Sequence, residues 1–92
     1  MRVACLVLLL VLAACAHPPT QEMAHARSAI QTAKSLPGNN PQADDEIRQA
    51  EQELQAASQA IREKNFALAR EKALNAKHRA RRAAKLKQQS EQ

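Results

Sequence analysis

Ile61-Arg62-Glu63-Lys64-Asn65-Phe66-Ala67-Leu68-Ala69 is the stretch that decides the fold. Upstream of it Ile47, Ala50, Leu54, Ala57 and Ile61 recur at alternating steps of three and four, the period of one helical face. Downstream, Phe66, Ala69, Ala73, Ala76, Ala80 and Ala83 make a second stripe, but Phe66 follows Ile61 by five positions. A slip in phase, with Asn65 as a good N-cap, predicts two helices rather than one. Neither Lys64 nor Asn65 is proline or glycine, so one continuous helix is the alternative that the residue types leave open. A connection this short forces the helices antiparallel. Residues whose numbers sum to about 129 then face each other: Ile61 near Leu68 and Ala69, Leu54 at Ala76, Ile47 at Ala83. Large side chains meet alanines, so the backbones approach closely and still fill space. Arg79 is expected on the outer face, where a charge reversal leaves folding little changed.

Upstream, Met23, Ala26, Ile30 and Ala33 predict another helix over about residues 21–35. Thr20 is its expected N-cap and Glu22 places a favourable negative charge in its first turn. Leu36-Pro37-Gly38-Asn39-Asn40-Pro41 ends it, with a turn at Pro37-Gly38 and an Asn40 cap ahead of proline at the first helical position. Asp44, Asp45 and Glu46 load the next helix start with charge that suits its dipole. Met23 and Ile30 are expected to cover the hairpin groove against residues such as Leu68 and Leu74. The fold class is all-α: an antiparallel, coiled-coil-like helical hairpin preceded by a short helix, three helices in all.

Before these helices comes a segment of another kind. Met1-Arg2 carries one positive charge, Val3 to Ala14 is an apolar run, and small residues precede Cys15. That is the order of a secretory signal peptide. Twelve apolar residues span only ~18 Å as a helix, against ~30 Å of bilayer hydrocarbon, so a membrane-spanning helix is disfavoured. An ordinary signal peptide cut elsewhere, with Cys15 incidental, is the alternative. Leu12-Ala13-Ala14-Cys15 resembles the lipobox of bacterial lipoproteins. The resemblance implies cleavage before Cys15 and acylation of its thiol. Ala16 stands where inner-membrane lipoproteins usually carry aspartate, which by the same resemblance implies the periplasmic face of the outer membrane of a Gram-negative cell. Several acyl chains anchor firmly where one binds marginally. The expected organisation is a signal peptide at 1–14, the lipidated cysteine and a proline-rich spacer at 15–20, a helical domain at 21–88 and a disordered tail at 89–92.

Composition narrows the chemistry. Cys5 leaves with the signal peptide and Cys15 is consumed by lipid, so no disulfide framework is expected. Phe66 is the one aromatic residue and Gly38 the one glycine. His17, His25 and His78 lack a metal-ligand spacing, and no glycine-rich phosphate loop or catalytic triad is visible. Neither catalysis nor a cofactor is expected, apart from the covalent lipid on Cys15.

Charge is unevenly placed. Residues 15–63 hold four Lys/Arg and seven Asp/Glu, whereas residues 64–92 hold nine and two. Lys77, Arg79, Arg81, Arg82, Lys85 and Lys87 concentrate near the end of the last helix. A solvated face at a helix C-terminus is the plain reading. The sharper one is contact with an anionic envelope surface, phospholipid, lipopolysaccharide or glycan. Nucleic acid is not an expected partner, because no aromatics interleave the charges and the chain is exported.

The run Ala50-x3-Leu54-x2-Ala57, then Asn65-Phe66-x2-Ala69-x3-Ala73-x2-Ala76, resembles short alanine-rich bacterial lipoproteins that carry a helical domain of unknown function, some with an OmpA-like domain following. The Asn-Phe turn is also similar to a single tetratricopeptide-type hairpin. The resemblance implies an envelope location and a helical fold, and no particular activity. A small core makes self-association or a periplasmic protein partner the expectation. The function expected is a lipid-anchored helical interaction module; the alternative is a structural tether whose basic helix holds an anionic polymer.

Overall fold

Alanine is the strongest helix former, and the chain places it at heptad positions through three segments separated by cap-forming residues. The computed structural model of the chain describes residues 17–90. Within them run α1 (Thr20–Ser35), α2 (Pro41–Arg62) and α3 (Phe66–Ser90). The signal-peptide segment and the lipobox residues Leu12, Ala13, Ala14 and Cys15 lie outside the described residues, as do positions 91–92.

The hairpin between α2 and α3 forms where the phase slips. Glu63 closes α2, and Lys64 takes a left-handed conformation with φ 61°. The Asn65 N–H donates to the Ala60 carbonyl (2.8 Å) and the Lys64 N–H to that of Ile61 (2.9 Å). This is a Schellman cap, with lysine in the position that usually holds glycine. Asn65 then starts α3, its Oδ1 accepting from the Leu68 N–H at 3.3 Å. One side chain and three backbone N–H groups thus end one helix and begin the next.

The core is built in three layers. Near the turn, Met23, Ala57 and Ala73 pack together, flanked by Leu54 and Ile61. Ile30, Ala50 and Ala80 form the middle, and Ala33, Ala43, Ile47 and Ala83 the far layer, flanked by Ala84 and Leu86. The α2–α3 partners Ala57/Ala73, Ala50/Ala80 and Ile47/Ala83 each sum to 130, one from the expected register. The α1–α3 partners Met23/Ala73, Ile30/Ala80 and Ala33/Ala83 instead differ by a constant 50. So α1 runs parallel to α3 and antiparallel to α2, giving an up-down-up bundle.

Several local expectations change. Met23 and Ile30 enter the seam between α2 and α3 rather than covering Leu68 and Leu74; Leu74 is left exposed, because it lies off the heptad seam. Thr20 does not cap α1: it is the first helical residue, Pro19 stands at the N-cap, and no side chain caps it. The Met23 N–H instead donates to the Pro19 carbonyl at 3.0 Å. Pro19 is fully buried, so the last part of the expected spacer belongs to the fold. Gln89 and Ser90, expected in a disordered tail, are helical. Ser90 Oγ donates to the Leu86 carbonyl (3.0 Å) and accepts from Asn40 Nδ2 (2.7 Å), which ties the helix end to the α1–α2 loop. Asn40 caps α2 as expected, its Oδ1 accepting from the N–H groups of Gln42 (2.9 Å) and Ala43 (3.1 Å), with Pro41 opening the helix. Gly38 holds φ 125°, a conformation that suits glycine in this turn.

Candidate functional site

The six basic residues of the α3 C-terminal half divide into three groups once the helices pack. Lys87 turns inward. It follows Ala83 by four positions, continuing the series Ala69, Ala73, Ala76, Ala80 and Ala83, and is buried at 6% exposure. Its Nζ donates to the carbonyls of Ala33 (2.7 Å), Leu36 (3.2 Å) and Lys34 (3.4 Å). These carbonyls close α1 and have no helical N–H to receive. The ammonium satisfies them and sits at the negative end of the helix dipole. Lys87 is therefore a helix clasp and not the surface contact expected of it.

Arg79 and Arg82 share one carboxylate. Arg79 Nη1 lies 3.3 Å from Glu46 Oε2, and Arg82 Nη1 lies 3.5 Å from Oε1. Glu46 is the acid that the sequence assigns to the start of α2, and antiparallel packing brings it beside α3. Arg79 is thus not a free outer-face charge, contrary to expectation. Other pairs run along the bundle: Lys72 with Glu53 (3.5 Å), Lys34 with Glu51 (2.7 Å) and Arg70 with Glu22 (3.7 Å). Arg48 pairs with Asp45 within α2.

Lys77, Arg81 and Lys85 remain. Among the described residues none of the three has an ion-pair partner. They stand at i, i+4 and i+8, so they rise along one side of α3 at ~6 Å per step. Lys77 and Arg81 form one rim of an open groove between α1 and α3. Ala29, Ala80 and Ala84 line its floor; His25, Ser28 and Thr32 line the opposite rim. Ser28 and Thr32 carry no motif and escape the sequence reading, which considers His25 only as a metal ligand. The signal of the three is the spacing i, i+3 and i+7, legible only once α1 is known to lie parallel to α3.

The position of this groove along the bundle follows from the helix directions. Pro18 and Thr20 border a shallow hollow with Ser58, Ile61 and Arg62, so the start of the described chain lies at the α2–α3 turn. Lys77 is eleven residues and Lys85 nineteen residues beyond Phe66, about 16 and 29 Å up the helix. The unpaired cations therefore run from the middle of α3 towards its C-terminal end, away from the start of the described chain. Among the described residues no group of three His, Cys, Asp or Glu is placed to hold a metal ion, and no helix is long and apolar enough to cross a membrane.

Residues 21–92 match the family model described as Domain of unknown function (DUF4398). No curated protein and no solved structure matches the chain.

Proposed function

The chain belongs to the DUF4398 family, and we propose that it serves as a lipid-anchored helical interaction module of the bacterial cell envelope. Cys15 carries the lipid, Leu12, Ala13 and Ala14 direct cleavage ahead of it, and the bundle stands on the periplasmic face of the outer membrane. One observation carries the reading: Pro19, four residues beyond the lipobox cysteine, is already buried in the helical bundle. Four extended residues reach at most ~14 Å, so a lipid on Cys15 holds this domain close against the headgroups. A bundle so short, with open grooves between its helices, suits the capture of another macromolecule better than the enclosure of a small one. The tether alternative draws on the basic half of α3, but with Lys87 internal and Arg79 and Arg82 sharing Glu46, three unpaired cations remain to it.

Mass spectrometry of the protein from its native envelope tests the anchor. The expected product begins at Cys15 with an acylated thiol and amine. Cys15→Ser leaves the precursor uncleaved, because the processing enzyme acts on the modified cysteine. A mature N-terminus elsewhere, with a free Cys15 thiol, overturns the lipoprotein reading.

A further inference from the structure

The α1–α3 groove combines an alanine floor with a basic rim. Lys77 and Arg81 form its rim without an ion-pair partner among the described residues, and Lys85, one turn further on, borders a neighbouring hollow with His78 and Arg82, whereas Arg70, Lys72, Arg79 and Arg82 on the same helix all meet acids. Its floor is alanine, which lets a third helix approach to about the 8 Å lower limit of helix packing. Its far rim offers the hydroxyls of Ser28 and Thr32.

We propose that this groove is the docking site of an acidic amphipathic helix from a partner protein. Carboxylates one turn apart on that helix meet Lys77 and Arg81, and its small apolar residues rest on Ala29 and Ala84, with Ala80 buried beneath them. The proposal deepens the interaction-module reading and rests on it. A second copy of this chain does not supply the occupant. Glu22, Asp45, Glu46, Glu51 and Glu53 are engaged within the molecule. Asp44, Glu63 and Glu71 are exposed but form no row on one helix face. A phosphate-bearing polymer fits less well, since it would meet the cations yet leave the apolar floor uncovered. The groove also begins ~16 Å along α3 from the anchor end, within reach of a protein helix when the bundle stands on its lipid.

The test is photocrosslinking in intact cells with the full-length chain, carrying benzoylphenylalanine at Thr32 in the groove or at Gln55 on the exposed side of α2. The expected product at Thr32 is an adduct with another protein whose crosslinked peptide bears Asp or Glu at helical spacing. Combining Lys77→Glu with Arg81→Glu should lower its yield about tenfold, an effect of electrostatic mismatch across the contact. The corresponding glutamines should lower it by a smaller factor, with the circular dichroism of the domain unchanged. Because they add no opposing charge, they keep the experiment decisive should the glutamate variant fail to fold. An adduct with a second copy, with lipid or glycan, one insensitive to both sets of substitutions, or none at all overturns the proposal. A protein adduct at Gln55 without one at Thr32 removes the groove and leaves the interaction-module reading standing.

Discussion

Lys64 holds φ 61°, a conformation that costs an L-residue roughly 1–2 kcal/mol and costs glycine little. Its side chain is exposed, so replacing it removes no core contact. Lys64→Gly should therefore stabilise the domain by about 1 kcal/mol, raising the melting temperature by ~4–8 °C in a fold of this size. Thermal unfolding followed by circular dichroism measures it, and an unchanged or lower midpoint would show that the turn carries no such strain. Lys87 makes the opposite case. Its ammonium holds three carbonyls at the end of α1, and hydrogen bonds to charged groups are worth ~1.5–3 kcal/mol in all but the most exposed settings. Lys87→Met keeps the stem and removes the charge, so it should cost about 2–3 kcal/mol and fray the α1 C-terminus first. Amide hydrogen exchange at Thr32 to Leu36 reads that fraying directly; protection there equal to the native level contradicts the clasp. The heptad count alone pointed inward at this position, but a lysine among five other cations reads as surface by residue type. What decides the matter is a row of orphan carbonyls that exists only after α1 has docked.

At the scale of elements, the alternating steps of three and four carried nearly all of the architecture. Each of Met23, Ala26, Ile30 and Ala33 is buried in α1, and every alanine from Ala69 to Ala83 in the α3 stripe is fully buried. The break between Ile61 and Phe66 gave the hairpin, and the short turn gave the register to within one residue. That Met23 and Ile30 dock α1 in the hairpin groove was legible; their partners there, the seam alanines rather than Leu68 and Leu74, were not, since a stripe tells which face is covered and not what covers it. Ala76 has no accessible surface, so Ala76→Glu should destabilise by several kcal/mol through a buried charge in a close-packed seam. Arg79→Glu loses the pair with Glu46 and sets two carboxylates side by side. The site is partly exposed, so the cost is about 1 kcal/mol. Exchanging the two charges, Arg79→Glu with Glu46→Arg, should recover part of it. Denaturant titration of the four proteins separates these outcomes. Equal losses for Ala76→Glu and Arg79→Glu would contradict the assigned seam, and no recovery in the exchange would reduce Glu46 to a solvated neighbour.

For the whole molecule, the parallel course of α1 and α3 fixes which end bears the start of the described chain, and so which end a lipid on Cys15 would hold. The start of α1 and the α2–α3 turn share one end, while the α1–α2 loop and the end of α3 share the other through Lys87, Asn40 and Ser90. From Phe66 to Ser90 α3 extends ~36 Å, so the two ends differ greatly in height if the bundle stands on its lipid, and little if it lies flat. Each cation near an anionic lipid surface is worth ~1 kcal/mol, which lets Lys77, Arg81 and Lys85 pull the bundle down onto such a surface. On a zwitterionic bilayer that pull is absent, and the short connection from Cys15 to Pro19 holds only the turn end close. Energy transfer from a fluorophore at Asn65 or at Gln88 to an acceptor in the headgroups distinguishes the two postures for the lipidated protein in vesicles. On phosphatidylcholine the Asn65 label should transfer strongly and the Gln88 label weakly. Adding anionic lipid at low salt should raise transfer from Gln88, and salt at physiological strength should lower it again, because screening acts beyond ~8 Å. Equal transfer from both labels on the zwitterionic bilayer would mean that the bundle lies flat without electrostatic help.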